Sequence, residues 1–342
     1  MTVYVFVIIA IALLFDFSNG LNDAANSIAT VVATRVLSPR KAVLWAAFFN
    51  FVAAFGFGTH VATTIGKGLV APGIVDPHMI LAALTAAIVW TVFCTRKGLP
   101  ISVSHALIGA LGGAAIVKGG MHALVWSRIA QVAAFIVLSP LIGLVLGAAT
   151  MAVVALICRN RTPRSIDGTF RWAQLLSAAV YSLSHGLNDA QKTMGIIFAL
   201  LISVPALAGW ATRDGNPASN EIAWWIILSC HAAIALGTYL GGWSVIKTLG
   251  HKVTRLKPVS GFCAEAGGGV TILALSALGI PVSTTHTITG AIFGVGMVYR
   301  LGAVRWKVGQ EIAAAWVLTL PAAAALAGLF YGALRTLICA VS

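Results

Sequence analysis

A short polar phrase occurs twice inside apolar sequence, and it restricts the fold more than any other feature of the chain. The first copy is Gly20-Leu21-Asn22-Asp23-Ala24-Ala25-Asn26-Ser27; the second is Gly186-Leu187-Asn188-Asp189-Ala190-Gln191-Lys192-Thr193. Each lies in a hydrophobic segment long enough to enter a bilayer. There a carboxylate is costly, and every backbone polar group needs a partner inside the protein. Both phrases must therefore be shielded from lipid, against protein or beside a water-filled cavity.

The surrounding sequence supports a membrane setting. Of 342 residues, 59% are hydrophobic and only 9% are charged, whereas a soluble domain carries about 25% charged residues. Ten apolar segments stand out, at 3–34, 42–64, 79–94, 101–117, 129–157, 172–204, 222–246, 259–278, 282–299 and 308–340. A span needs about 20 residues, so the longest segments tilt, break or project, and the short third, fourth and ninth include candidates for re-entrant turns. No polar stretch is long enough for a soluble domain. The run Val3–Phe15 lacks a basic n-region and a clear small-residue cleavage site, and reads as part of the first helix rather than a removed signal. Five cysteines (Cys94, Cys158, Cys230, Cys263, Cys339) lie in or beside apolar segments without metal-ligand spacing and read as packing residues.

Net charge is +13, which in a soluble protein would suggest nucleic acid. Here the excess sits in alternate short loops. The loops after odd segments hold Arg35, Arg40 and Lys41; Arg96 and Lys97; Arg159, Arg161, Arg164 and Arg171 with Asp167; Lys247, Lys252, Arg255 and Lys257; and Arg300, Arg305 and Lys307. The loops after even segments are close to neutral. The positive-inside rule then puts the odd loops in the cytoplasm and both termini outside.

The duplication extends beyond the first phrase. Gly98-Leu99-Pro100-Ile101-Ser102-Val103-Ser104-His105 recurs as Gly279-Ile280-Pro281-Val282-Ser283-Thr284-Thr285-His286, and Leu138-Ser139-Pro140 is echoed by Thr319-Leu320-Pro321. The chain divides into a first membrane repeat, 1–157, a basic cytoplasmic linker, 158–171, and a second membrane repeat, 172–342, forming one integral membrane domain. Each half has five segments. Five is odd, so the halves enter from opposite sides. The predicted fold is an all-α polytopic protein with about 10–12 membrane helices, some broken or re-entrant, in an inverted-topology repeat; such repeats carry their site between the halves near the midplane.

A helix broken at Gly20 or Gly186 would expose N–H groups that suit an anion, and carbonyls that, with Asp and Asn oxygens, suit a hard cation such as Na⁺. Asn22, Asp23 and Asn26 fit the cation role in the first half; Asn188 and Asp189 fit it in the second, where Gln191 and Lys192 are added. Lys192 is either a counter-ion for Asp189 or Glu265, or an anion ligand. Asp16, Asp23, Asp189 and Glu265 are intramembrane carboxylates and so functional candidates, although Asp16 has no counterpart in the second half. Glu311 sits at a helix start, an ordinary place for a carboxylate. Ser102, Ser104, Ser283, Thr284 and Thr285 are either helix caps after proline turns or hydroxyl donors to an oxyanion. His105 and His286 are either proton carriers, oxyanion donors or orienting groups. His185 and the remaining histidines show no paired pattern.

On these four motifs the chain resembles the inorganic phosphate transporter (PiT) family of cation-coupled symporters. That family carries an early Gly-x-Asn-Asp-x-Ala-Asn phrase, a later Gly-x-Asn-Asp-Ala-Gln-Lys phrase and paired Pro-x-Ser-x-Thr-His-like turns, and the match spans essentially the whole chain in order. The resemblance implies a usually dimeric inverted-repeat protein moving inorganic phosphate with Na⁺ or H⁺. The compact form, without a large central loop, points to a bacterial plasma-membrane member. On the reading of the residues, phosphate is assigned to Ser102, Ser104, Ser283, Thr284, Thr285, Gln191 and Lys192, and the coupling cation to Asn22, Asp23, Asn26, Asn188, Asp189 and Glu265, with Na⁺ at Asp23 and Asp189 and no organic cofactor expected. Eukaryotic members carry two further glutamates; Glu265 matches one, and Asn50 stands at the other, which leaves H⁺ coupling open.

Function follows as cation-coupled phosphate uptake by alternating access. A sulfate permease of the same family is the main rival: phosphate carries a proton to donate to a buried carboxylate and sulfate does not. An anion channel is a weaker alternative. No nucleophile elbow or His-x-x-x-His spacing suggests an enzyme.

Overall fold

The computed structural model describes residues 2–56, 58–71, 73–299, 302 and 304–341. Among these, the helices are α1 (Thr2–Ala33), α2 (Pro39–Val52), α3 (His60–Gly68), α4 (Pro77–Lys97), α5 (Val103–Gly119), α6 (Trp126–Cys158), α7 (Pro163–Ile202), α8 (Trp224–Leu240), α9 (Trp243–Lys247), α10 (Pro258–Ala277), α11 (Thr284–Tyr299) and α12 (Trp306–Val341). The ten apolar segments all reappear. Two of them are bent pairs: α2 meets α3 at 82° and α8 meets α9 at 63°. Among the described residues, five helices are long and apolar enough to cross a membrane, or up to seven if each bent pair is one span.

Three expectations are corrected. The helices do not break at Gly20 or Gly186: α1 and α7 run through both. A Cβ at Gly20 would lie 2.2 Å from the Ile234 carbonyl oxygen, and one at Gly186 would lie 2.7 Å from that of Asn50. These glycines let α1 close on α8 and α7 close on α2, the usual work of small residues between membrane helices. Next, the stretch 158–171 is mostly not a linker. Thr162 caps a helix whose first residue is Pro163, so α7 reaches 40 residues. Lastly, the short third segment becomes a full 21-residue span, because Asp76 caps Met79 N at 2.7 Å and Pro77 starts the helix. Of the suspected short segments, α5 and α11 remain short, at 17 and 16 residues.

The Gly-x-Pro-x-Ser turns now have a local explanation. α4 ends where Gly98 takes φ 69°, with Leu99 N donating to Cys94 O; α10 ends where Gly279 takes φ 70°, with Ile280 N donating to Leu275 O. Only a residue without Cβ adopts this left-handed cap cheaply. Two non-helical residues and a proline follow, and the serine then caps the next helix: Ser102 Oγ accepts from His105 N, and Ser283 Oγ from His286 N, both at 3.2 Å.

Packing crosses between the halves. α5 lies along α12, and α11 lies along α6. A Cβ at Gly109 or Gly113 would come within 2.4 or 2.0 Å of the carbonyls of Leu320 or Ala324, while one at Gly290 or Gly294 would come within 2.0 or 2.1 Å of those of Pro140 or Leu144. Pro140 and Pro321 sit inside their long helices at these contacts. α6 and α12 turn their other faces outward, with Val137, Leu141, Val145, Val317 and Leu329 exposed. α1 and α7 form the buried centre.

Candidate functional site

The two aspartates of the duplicated phrase meet. α1 brings Asp23 and α7 brings Asp189, both buried. Thr284, in the first turn of α11, bridges them: its hydroxyl lies 3.3 Å from Asp23 Oδ2 and 3.3 Å from Asp189 Oδ2. Thr285 Oγ1 is 3.3 Å from Asp23 Oδ1. Asn26 Nδ2 donates to Thr285 at 2.9 Å and to Thr284 at 3.3 Å. The helix caps therefore hold the threonines where both acids can be read at once.

Lys192 acts as a counter-ion. Its ammonium donates to Asp189 Oδ1 at 2.5 Å, to Val282 O at 2.9 Å and to Ser104 Oγ. Its three protons are thus committed to one acid and to both Pro-x-Ser turns. The contact with Ser104 repeats, in the other half, the contact of Asn26 with Thr285. A second repeated pair flanks the site: Asn22 Nδ2 donates to Thr95 Oγ1, and Asn188 Nδ2 to Ser276 Oγ, each at 2.7 Å. Thr95 and Ser276 occupy the last turns of α4 and α10. The Oδ1 atoms of Asn22, Asn26 and Asn188 remain buried without partners. Their amides are pinned by the NH₂ side, which fixes where the free carbonyl oxygens point.

His185 belongs to this cluster. Its Nε2 lies 3.2 Å from Asp189 Oδ2 and 3.9 Å from Asp23 Oδ2, and Nδ1 pairs with Asn50 Oδ1 at 3.2 Å. Asp23, His185 and Asp189 each offer a ligand atom within 4.8 Å of the others. His185 is unmarked by the duplicated phrases. The available signal was its position four residues before Asp189, on the same helix face. Asn50 holds this histidine and also donates to Thr238 Oγ1 at 2.9 Å.

Several candidates are placed elsewhere. Gln191 does not join the cluster; its Oε1 accepts from Val61 N and Ala62 N at 2.9 and 3.2 Å, capping α3, and its Nε2 donates to Gly58 O. Ser102 and Ser283 serve as helix caps. Glu265 shares no hydrogen bond with the two aspartates. Thr30 and Ser177 donate to it at 2.5 Å and Gln174 at 3.2 Å, so its carboxylate is well supplied with donors. His105 and His286 face each other at a ring separation of 4.8 Å, and His286 stacks on Trp316 at 3.8 Å. They pack the two turns together behind the threonines. A cavity of about 280 Å³, lined in part by Gly58, Gln191, Met194, Arg213 and His231, opens beside α7.

Comparison with known proteins agrees with these motifs. The profile of the phosphate transporter family matches residues 19–327. A probable low-affinity inorganic phosphate transporter of Rhizobium meliloti is 52% identical, over 95% of this chain and 94% of the relative. One described in the same words from Bacillus subtilis is 41% identical, over 95% of each chain. A solved structure described as the sodium-dependent phosphate transporter superposes with a TM-score of 0.87 at 27% identity, covering 98% of this chain and all of that one.

Proposed function

Because this chain belongs to the phosphate transporter family, we propose that it is a multi-pass membrane symporter that moves inorganic phosphate together with a coupling cation by alternating access. The observation that carries this reading is the junction of Asp23 and Asp189 under Thr284. Two buried carboxylates so close repel each other and would repel phosphate. Lys192 offsets one negative charge. A bound cation offsets the other, so cation and anion favour each other's binding. The description of the structural neighbour as sodium-dependent supports Na⁺ in that place.

The phosphate would sit against Ser104, Thr284 and Thr285. Two helix N-termini, those of α5 and α11, converge there through Lys192, which touches both turns. Helix starts and hydroxyls suit an oxyanion. The cation would take the free oxygens of Asn22, Asn26 and Asn188 with the aspartates. We read the chain as two inverted halves, supported by the exchanged packing of α5 with α12 and α11 with α6. Rocking of these units about the α1–α7 centre would open the site to each side in turn.

Uptake of labelled phosphate into proteoliposomes tests the reading, with Na⁺ and pH gradients imposed separately and sulfate in excess. Concentrative uptake driven by one cation gradient and resistant to sulfate is expected. Flux that only follows the phosphate gradient would point to a channel, and strong competition would point to sulfate.

A further inference from the structure

A groove of about 320 Å³ lies between α6, α11 and α12, with chiefly apolar walls from Leu141, Leu144, Phe293, Trp306, Ala313 and Trp316. It opens on the outward side of these helices: Leu141 is 50% exposed and Trp306 49%. The end at the start of α12 is polar and basic. Gln310 lines it there, and Lys307 shares the helix face of Gln310, three residues away. Arg305 directly precedes the helix. Arg305 and Lys307 are exposed, and no ion pair among the described residues takes either charge. Glu311, one turn beyond Lys307, offsets only one of the two. The inner wall reaches the transport centre. Trp316 stacks on His286 at 3.8 Å and donates Nε1–H to Pro100 O at 3.0 Å, so one ring holds both Pro-x-Ser turns. Thr289, one turn beyond Thr285, lines the same groove.

An apolar trough with a basic rim fits an amphiphile with an acidic head, not a free anion, which has nothing to bury against leucine and phenylalanine. The loop before α12 is one of those that the charge pattern puts in the cytoplasm. Basic pockets between membrane helices on that side bind acidic lipid headgroups, and a tryptophan at the rim suits the interface. The start of α12 adds a partial positive charge of its own. A second copy of the chain is the poorer occupant, because a two-fold contact of this patch with itself would set these cations against their copies. We propose that the groove binds an anionic phospholipid, with an acyl chain along Leu141, Leu144 and Phe293 and the headgroup at Arg305 and Lys307. The bound lipid steadies Trp316, and through it the two turns that carry Ser104, Thr284 and Thr285. The lipid site needs the membrane setting but not the symport reading.

The test is native mass spectrometry of the detergent-solubilised full-length protein, titrated with phosphatidylglycerol or phosphatidylcholine. Wild type is compared with the double variant Arg305→Gln/Lys307→Gln and with Ala313→Phe, which fills the groove. Wild type is expected to prefer phosphatidylglycerol. The double variant should weaken that lipid roughly 30-fold and leave phosphatidylcholine unchanged; Ala313→Phe should weaken both. Wild-type binding of phosphatidylglycerol by both variants would overturn the site. Loss of a dimer in Ala313→Phe with lipid binding unchanged would assign the groove to a second copy, and overturn it equally. If Ala313→Phe does not fold, the double variant decides, since it changes only exposed side chains. A second arm compares phosphate uptake in vesicles of phosphatidylcholine with and without phosphatidylglycerol. Faster uptake with phosphatidylglycerol, in wild type but not in the double variant, is expected; equal uptake by wild type in both would overturn the link to the turns. Absence of uptake by wild type in either would instead count against the symport reading, and the binding arm would still judge the groove.

Discussion

At Lys192 the molecule places a full positive charge in a buried site and commits every proton of it. Lys192→Met would leave Asp189 without its ammonium partner, and breaking one side of a buried pair costs about 3–5 kcal/mol. The expected result is a large fall in thermal stability, with much of it recovered when Asp189→Asn is added, read as a double-mutant cycle on the detergent-solubilised protein. Independent, additive losses would show that the pair is not coupled. The aspartates were legible in the sequence because an acid in an apolar segment has few bland explanations. Lys192 was legible as a charge, but its partner had to be chosen between Asp189 and Glu265, and only the i,i+3 contact on α7 decides it. Gln191 is held away from the cluster by backbone N–H groups of α3, across a bend that leaves no mark near residue 191.

Among the elements, glycine position separates packing from bending. In α5, a Cβ at Gly113 would stand 2.0 Å from the Ala324 carbonyl oxygen, whereas one at the adjacent Gly112 would meet nothing nearer than Leu124 Cδ2 at 3.9 Å. Gly113→Ala is therefore expected to push α5 off α12 and destabilise by about 1–3 kcal/mol or more. Gly112→Ala should be neutral or stabilising by up to about 1 kcal/mol, from helix propensity. Melting temperatures of the two variants check this, and equal effects would contradict the packing. The same logic explains why Gly20 and Gly186 suggested broken helices. A glycine in a membrane segment signals either a break or a close neighbour, and the neighbour here is distant in sequence. The proline turns were easier to read, since the αL glycine, the proline and the capping serine are contiguous.

For the whole molecule, the apolar runs divided the chain into the segments that the helices now occupy, because apolar length is a signal that repeats along the chain. The extra bends within the second and seventh segments left no comparable signal. Orientation can be read by cysteine labelling in a background with the native cysteines removed. Lys97→Cys is expected to react from the cytoplasmic side alone and Arg213→Cys from the outside alone; the reverse pattern would invert the topology. The exchange of α5 and α11 between long partners α12 and α6 leaves the polar seam of α1 and α7 as the shared centre. Its middle holds Asp23, Asp189 and His185, with Glu265 on one side and Asp16 on the other.

The central claim is that Asp23 and Asp189 together form one coupled cation and phosphate site. Gradient-driven uptake of labelled phosphate by proteoliposomes containing wild type, Asp23→Asn or Asp189→Asn tests it most directly, with insertion and melting behaviour confirmed for each. The account predicts uptake by wild type and its loss in both variants while they remain inserted and folded. Wild-type uptake by both folded variants would contradict it.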